Sequence, residues 1–235
     1  MRERWLKLFV PVGMVCLWLS AAAFGQTPGR QKAEVKTVER RQFVARGEIQ
    51  ILDSYGEVKV EGWDRPEVEV AVTKTTQKEY EPGGLARAVR DLERIKVELE
   101  SSENSLLVIR TIFPPRTPAR MLRGKTNANL RYVVKVPRQS SLTIKHDVGR
   151  VEVADLDGDL EATNGVGEIS LRLPGENQYA VDARARIGDV SSEFGDTAQR
   201  QRVIGASLLN APVTPTRRLF LRVGVGAIQI EKMRE

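Results

Sequence analysis

The chain has 235 residues, of which 41% are apolar, 29% charged and 6% aromatic. That is too polar for a protein of many membrane spans and too apolar for a disordered one, and the length fits one or two domains. Lys and Arg number 37 against 31 Asp and Glu, a formal charge of +6. Three of those cations and one acid lie in the first 25 residues, which leaves 34 against 30, or +4, without the strong basic footprint of a nucleic-acid binder.

Arg2, Arg4 and Lys7 precede an apolar run from Leu8 to Leu19, followed by Ser20-Ala21-Ala22-Ala23-Phe24-Gly25. A charged start, an apolar centre and a small-residue end form the pattern of a secretory signal peptide over residues 1–25. Ala23 and Gly25 suit positions −3 and −1, so cleavage is expected before Gln26, with Ala23–Phe24 as second choice. The alternative is an uncleaved anchor, because the apolar stretch approaches the roughly 18 residues of a membrane span. Lipidation at Cys16 is disfavoured by Val15 in front of it. No second apolar stretch of spanning length follows, so the remainder is expected on one side of the membrane, in the periplasm, on the cell surface or outside. Cys16 is the single cysteine. Its loss with the signal removes disulfides, thiol catalysis and thiolate metal sites from the mature chain.

Residues 26–42 read as a polar tether, and a single all-β domain is expected over 43–235. Within it one short form recurs: Gly, charge, apolar, polar, apolar. It is seen in Gly47-Glu-Ile-Gln-Ile51, Gly56-Glu-Val-Lys-Val60, Gly149-Arg-Val-Glu-Val153, Gly158-Asp-Leu-Glu-Ala162, Gly167-Glu-Ile-Ser-Leu171, Gly188-Asp-Val190 and Gly226-Ala-Ile-Gln-Ile230. Strict alternation after a glycine predicts a half-buried strand that starts from a turn. The downstream spacings of 9, 9, 21 and 38 are near multiples of nine or ten, so the chain carries an internal repeat whose paired units make a coil of about twenty residues.

The expected fold is a right-handed β-solenoid, with Val151, Val153, Leu160, Ala162, Ile169, Leu171, Leu173, Ile228 and Ile230 lining an aliphatic interior. Arg150, Glu152, Asp159, Glu161, Glu168 and Arg172 then face water. An antiparallel β-sandwich is the alternative, since it also has short strands every 8–12 residues. Between the repeat blocks, further strands are expected at Glu67–Val72, Ile95–Leu99, Leu106–Ile109 and Leu130–Val136. An amphipathic helix is predicted over 84–95 from Leu85, Val89, Leu92 and Ile95, and a proline-rich loop over 113–129.

Gly56-Glu-Val-Lys-Val-Glu-Gly-Trp-Asp64, Tyr132-Val-Val-Lys-Val-Pro137, Ser141-Leu-Thr-Ile-Lys145 and the Gly-x-apolar train ending in Gly226-Ala-Ile-Gln-Ile-Glu-Lys232 resemble the bacterial "putative adhesin" family, a domain of unknown function. The resemblance spans roughly Gly47 to Lys232. It implies an exported, repetitive all-β domain without established enzymatic activity, catalytic residues or cofactor. The stretch from Phe194 to Arg218 departs from the repeat.

His146 is the only histidine. Asp147 beside it and Ser140 or Ser141 nearby do not make a triad, because neighbouring strand residues point to opposite faces and no oxyanion signature is present. One histidine without a thiol does not supply a usual zinc set. Asp155-Leu-Asp157-Gly158-Asp159 has the acids of a calcium loop but not its register, and Asp-Gly is also a plain turn. Gly165-Val-Gly167 and Gly224-Val-Gly226 lack the third glycine and the helix of a dinucleotide fingerprint. Arg116, Arg120, Arg123 and Lys125 make the 113–129 loop basic, a candidate contact for an envelope polyanion. Trp63 at a strand end reads as a packing anchor.

No catalytic, metal or cofactor residues are thus expected. The reading is a non-enzymatic, exported cell-envelope binding or structural module whose partner is an envelope protein or glycan. Alternatives are a regulatory or sensory accessory with one protein partner, and a carbohydrate-active β-helix enzyme using Asp155, Asp157, Asp159 and Glu161.

Overall fold

The computed structural model describes residues 29–102, 105–114, 127–174, 179–194, 198–201, 205–210, 212, 214–215 and 217–233. The segment read as a signal peptide and the four basic residues of the 113–129 loop lie outside them. The fold is all-β with one helix among the described residues. In chain order the elements are β1 (Gln31–Gln42), β2 (Glu48–Trp63), β3 (Glu67–Tyr80), α1 (Pro82–Glu93), β4 (Lys96–Ser102), β5 (Leu106–Ile112), β6 (Ala128–Pro137), β7 (Ser141–Ala154), β8 (Leu160–Leu173), β9 (Tyr179–Ser192), β10 (Ala198–Gln201), β11 (Ala206–Asn210) and β12 (Arg217–Lys232).

All twelve strands belong to one mixed, open sheet, ordered β1-β3-β6-β2-β7-β8-β12-β9-β11-β10, with β5 on β2 and β4 on β5. The centre is five parallel rungs, β2, β7, β8, β12 and β9, paired in register. The parallel set continues from β2 into β6, and antiparallel strands complete the sheet, β3 and β1 beyond β6 at one end and β11 and β10 beyond β9 at the other. The last strand, β12, fills the slot between β8 and β9, so the repeats do not stack in sequence order.

Rungs β2 and β8 each join two of the units read from the sequence, and β7, β12 and β9 each carry one. Gly56, Gly149, Gly167, Gly226 and Gly188 fall in the middle of their strands and lie side by side as one column. All five have positive φ, between 126° and 142°. They are therefore corners within a long strand, whereas Gly47 and Gly158 precede their strands as expected. The length of the return segment shows why a corner is required. A straight strand from Leu142 to Ala154 would span about 40 Å. Leu160 pairs with Leu142, and the six Cα steps from Ala154 back to it reach at most about 22 Å. The return closes because β7 is folded at Gly149, and the turn is held by Asp157 N–H donating to Arg138 O (2.7 Å) and Leu142 N–H to Asp159 O (2.9 Å).

The alternation changes phase at each corner. In β8 the buried side chains are Leu160, Ala162 and Asn164 before Gly167, then Ile169, Leu171 and Leu173 after it. Residues immediately before the glycine turn outward: Val148, Val166, Val225 and Ile187 are exposed aliphatics. The core is built from the inward rows of both half-rungs. Every interior residue expected from the sequence is buried there, with Val151, Ile169 and Ile228 at 0% exposure.

The stretch read as a tether forms an edge strand over residues 31–42, antiparallel to β3. Its side chains are exposed on both faces except near Ala33 and Val35, which explains why it has no hydrophobic period. Its Lys, Arg and Glu residues discourage edge-to-edge pairing. Helix α1 begins at Pro82, two residues earlier than expected, because proline suits the first helical turn. It buries Ala88 and Leu92, while the buried Lys74 donates from Nζ to Ile95 O (2.5 Å) just past its end.

Candidate ligand-binding face

Two surfaces bear on function: an interior row of polar side chains, and the outer face of the second half-rungs. The interior row sits three residues before the corner glycines, at Asp53, His146 and Asn164, which are aligned on adjacent rungs and buried. The Asn164 amide donates from Nδ2 to Gly149 O (2.9 Å), bracing the corner of the neighbouring rung. His146 takes the same position one rung over. Its Nδ1 is 3.6 Å from Asp53 Oδ2, too long for a hydrogen bond.

Burial pushes the His146 imidazole below its ordinary 6.5, and the backbone of Gly56 and Val148 and the charge of Asp147 offset this only in part. The Tyr132 hydroxyl is shared with Thr111 Oγ1 (2.7 Å) and bonded to Asp53. Burial, reinforced by the Asp53 charge, drives this phenol far above its ordinary 10. The groups most able to move protons are thus enclosed, with His146 at 3% and Asp53 at 6% exposure.

Two of the acids read as a calcium or glycosidase cluster are engaged separately. Asp155, at φ 58°, pairs with Arg138 (3.4 Å), and Asp159 Oδ1 accepts the Arg218 amide (2.9 Å). Among the described residues no three His, Cys, Asp or Glu side chains converge to hold a metal ion. Trp63 donates from its indole to Glu67 O (2.8 Å) and lies beneath Arg65 and Lys135, which is the anchor role expected of it.

On the outer face the pairing register builds charge ladders. One row runs Arg40, Glu69, Lys135, Glu61, Ala154, Arg172, Glu231 across seven strands. Its signs alternate until Ala154. Arg40 bonds Glu69 (2.6 Å), and Lys135 approaches the same carboxylate (3.7 Å). Two rows nearer the corner glycines, Arg131 bonds Glu57 (2.8 Å) and Arg150 pairs with Glu168 (3.3 Å). At Ala154 the row has no charge, and there a cleft of about 500 Å³ opens, lined by Lys59, Glu61, Ala154, Asp155, Arg172, Glu193, Glu231, Lys232 and Met233. No sequence motif marks it, because its walls come from β2, β8 and β12, which are neighbours only through the register.

No known family model matches the chain, and no curated protein matches it. Among solved structures, one described as a putative cell adhesion protein from Clostridium sporogenes is similar over 85% of this chain and 100% of its own, at 11% identity and a TM-score of 0.52. A putative adhesin from Bacteroides fragilis aligns over 85% and 97% at 10% identity, with a TM-score of 0.24. A putative lipid binding protein from Parabacteroides distasonis does so over 85% and 97% at 9%, with a TM-score of 0.25. The first likeness is one of fold; the other two are too distant to carry an argument.

Proposed function

We propose that this chain is a non-enzymatic, adhesin-like binding module of the bacterial cell envelope, exported by its N-terminal segment and wound as a right-handed β-solenoid. The short return from Ala154 to Leu160 supports the winding, and its hand follows the strong preference of parallel crossovers. The binding role rests chiefly on one observation. The acid–base groups Asp53, His146 and Tyr132 are shut in the core, while the outer face presents in-register rows of charge. Such a face suits recognition, and the interior row suits bracing the corners. The name carried by the similar Clostridium sporogenes structure points the same way.

The test is retention. Immobilised protein is offered envelope glycans and membrane extracts, and saturable, salt-sensitive capture of a component is expected. Capture of one stoichiometric protein would identify the accessory role within the same reading. Repeated failure to retain anything, or turnover of uronic-acid polymers by the purified protein, would overturn it.

A further inference from the structure

On this face Glu61 lies opposite Lys135 and Arg172 opposite Glu231, yet among the described residues neither pair closes to an ion pair, and Lys135 turns to Glu69 instead. Among the described residues Glu61 and Arg172, one rung to either side of Ala154, form no ion pair, and neither do Lys59 and Glu231 beside them. Ala154 ends at Cβ, so a gap remains where the row would otherwise carry a long side chain, and this gap is the floor of the cleft. Two rung steps place the backbones of Glu61 and Arg172 about 10 Å apart. One wall therefore offers a carboxylate and the other a planar guanidinium fork, facing each other across a space of about 500 Å³ that suits a small ligand.

We propose that this cleft binds a zwitterionic peptide end, with its ammonium on Glu61 and its carboxylate held by Arg172. The inference rests on the binding-module reading and names a ligand class for that face. A simple anion fits poorly, because Glu61, Glu193 and Glu231 line the cleft beside its cations, in addition to Asp155, which Arg138 pairs with from outside. A neutral sugar fits poorly too, because no aromatic ring is among the lining residues to stack on it. An ion of each sign, held on strands two rung steps apart and drawn into no ion pair among the described residues, matches a ligand that carries both signs a few ångströms apart.

The experiment is an NMR titration of the protein with glycylglycine, N-acetylglycylglycine and glycylglycine amide. Saturable shifts at the Ala154 amide are expected with glycylglycine, and each blocked dipeptide should bind about fivefold more weakly. Glu61→Gln should remove the penalty for acetylation only, and Arg172→Gln the penalty for amidation only. Ala154→Arg should abolish binding while leaving the remaining spectrum unchanged. Equal binding of the blocked dipeptides, no saturable shift, or unchanged binding by Ala154→Arg would overturn the proposal. If envelope material is retained equally by wild type and Ala154→Arg, the cleft inference fails and the binding-module reading stands. If glycylglycine binds as expected but no envelope material is retained, the reverse holds.

Discussion

At Gly149 the backbone has φ 139°, and a methyl group built there would fall onto the Gly56 carbonyl of the adjacent rung. Both the dihedral and the close approach exclude an L side chain. Gly149→Ala is expected to destabilise by about 3 kcal/mol or more, combining backbone strain with displacement of β2. Gly29→Ala, which meets nothing, is the control in the same denaturant unfolding series. His146 makes a second prediction. Its folded pKa lies below 6.5, so on acidification the unfolded chain takes up a proton before the folded chain does. The stability tied to this group is therefore full above pH 6.5 and declines as the pH falls below it. Asn at this position would reach for the Gly56 carbonyl as Asn164 does for Gly149, so His146→Asn should fold and show a flatter decline of Tm between pH 6.5 and 5.

The long strands owe their stability to both neighbours, and the elements differ accordingly. Strand β12 pairs along nearly its whole length with β8 on one side and β9 on the other, and Ile228, two residues past its corner glycine, is fully buried. Ile228→Ala should cost about 2–5 kcal/mol through lost burial and a cavity. Strand β1 has one neighbour and exposes Val38 at 60%, so Val38→Thr should stay within about 0.5 kcal/mol. Thermal unfolding of both variants checks the contrast. The same difference governs what could be read from the residues. Alternation in Gly167-Glu-Ile-Ser-Leu171 identified Ile169 and Leu171 as interior because one side of that strand meets the core. Gln31–Gln42 has no such asymmetry, and its polar period-free sequence reads as a tether although it is a strand.

In the whole molecule, β12 separates two strands that precede it in the chain, so the parallel sheet is completed only when the C-terminal segment arrives. A chain ending at residue 216 leaves facing edges of β8 and β9 without partners and should lack a cooperative unfolding transition, which circular dichroism on heating would show. Since most contacts are long-range, refolding of the chain from Gln26 onward, in which Trp63 is the single tryptophan, is expected on the millisecond-to-second scale or slower, as stopped-flow fluorescence would register.

Local chemistry, readable in order along the chain, determined the strand periods, the all-β class, the interior aliphatics and the glycines. Each depends on a side chain's own size or a backbone's own freedom. Only the tertiary structure decided that those glycines are corners, that β12 lies between β8 and β9, and that Glu61, Ala154 and Arg172 share a cleft. These depend on which strand hydrogen-bonds to which across separations of 18 to 93 residues, as from Gly149 to Gly167 and from Gly56 to Gly149, and backbone pairing carries no mark in the sequence of either partner alone.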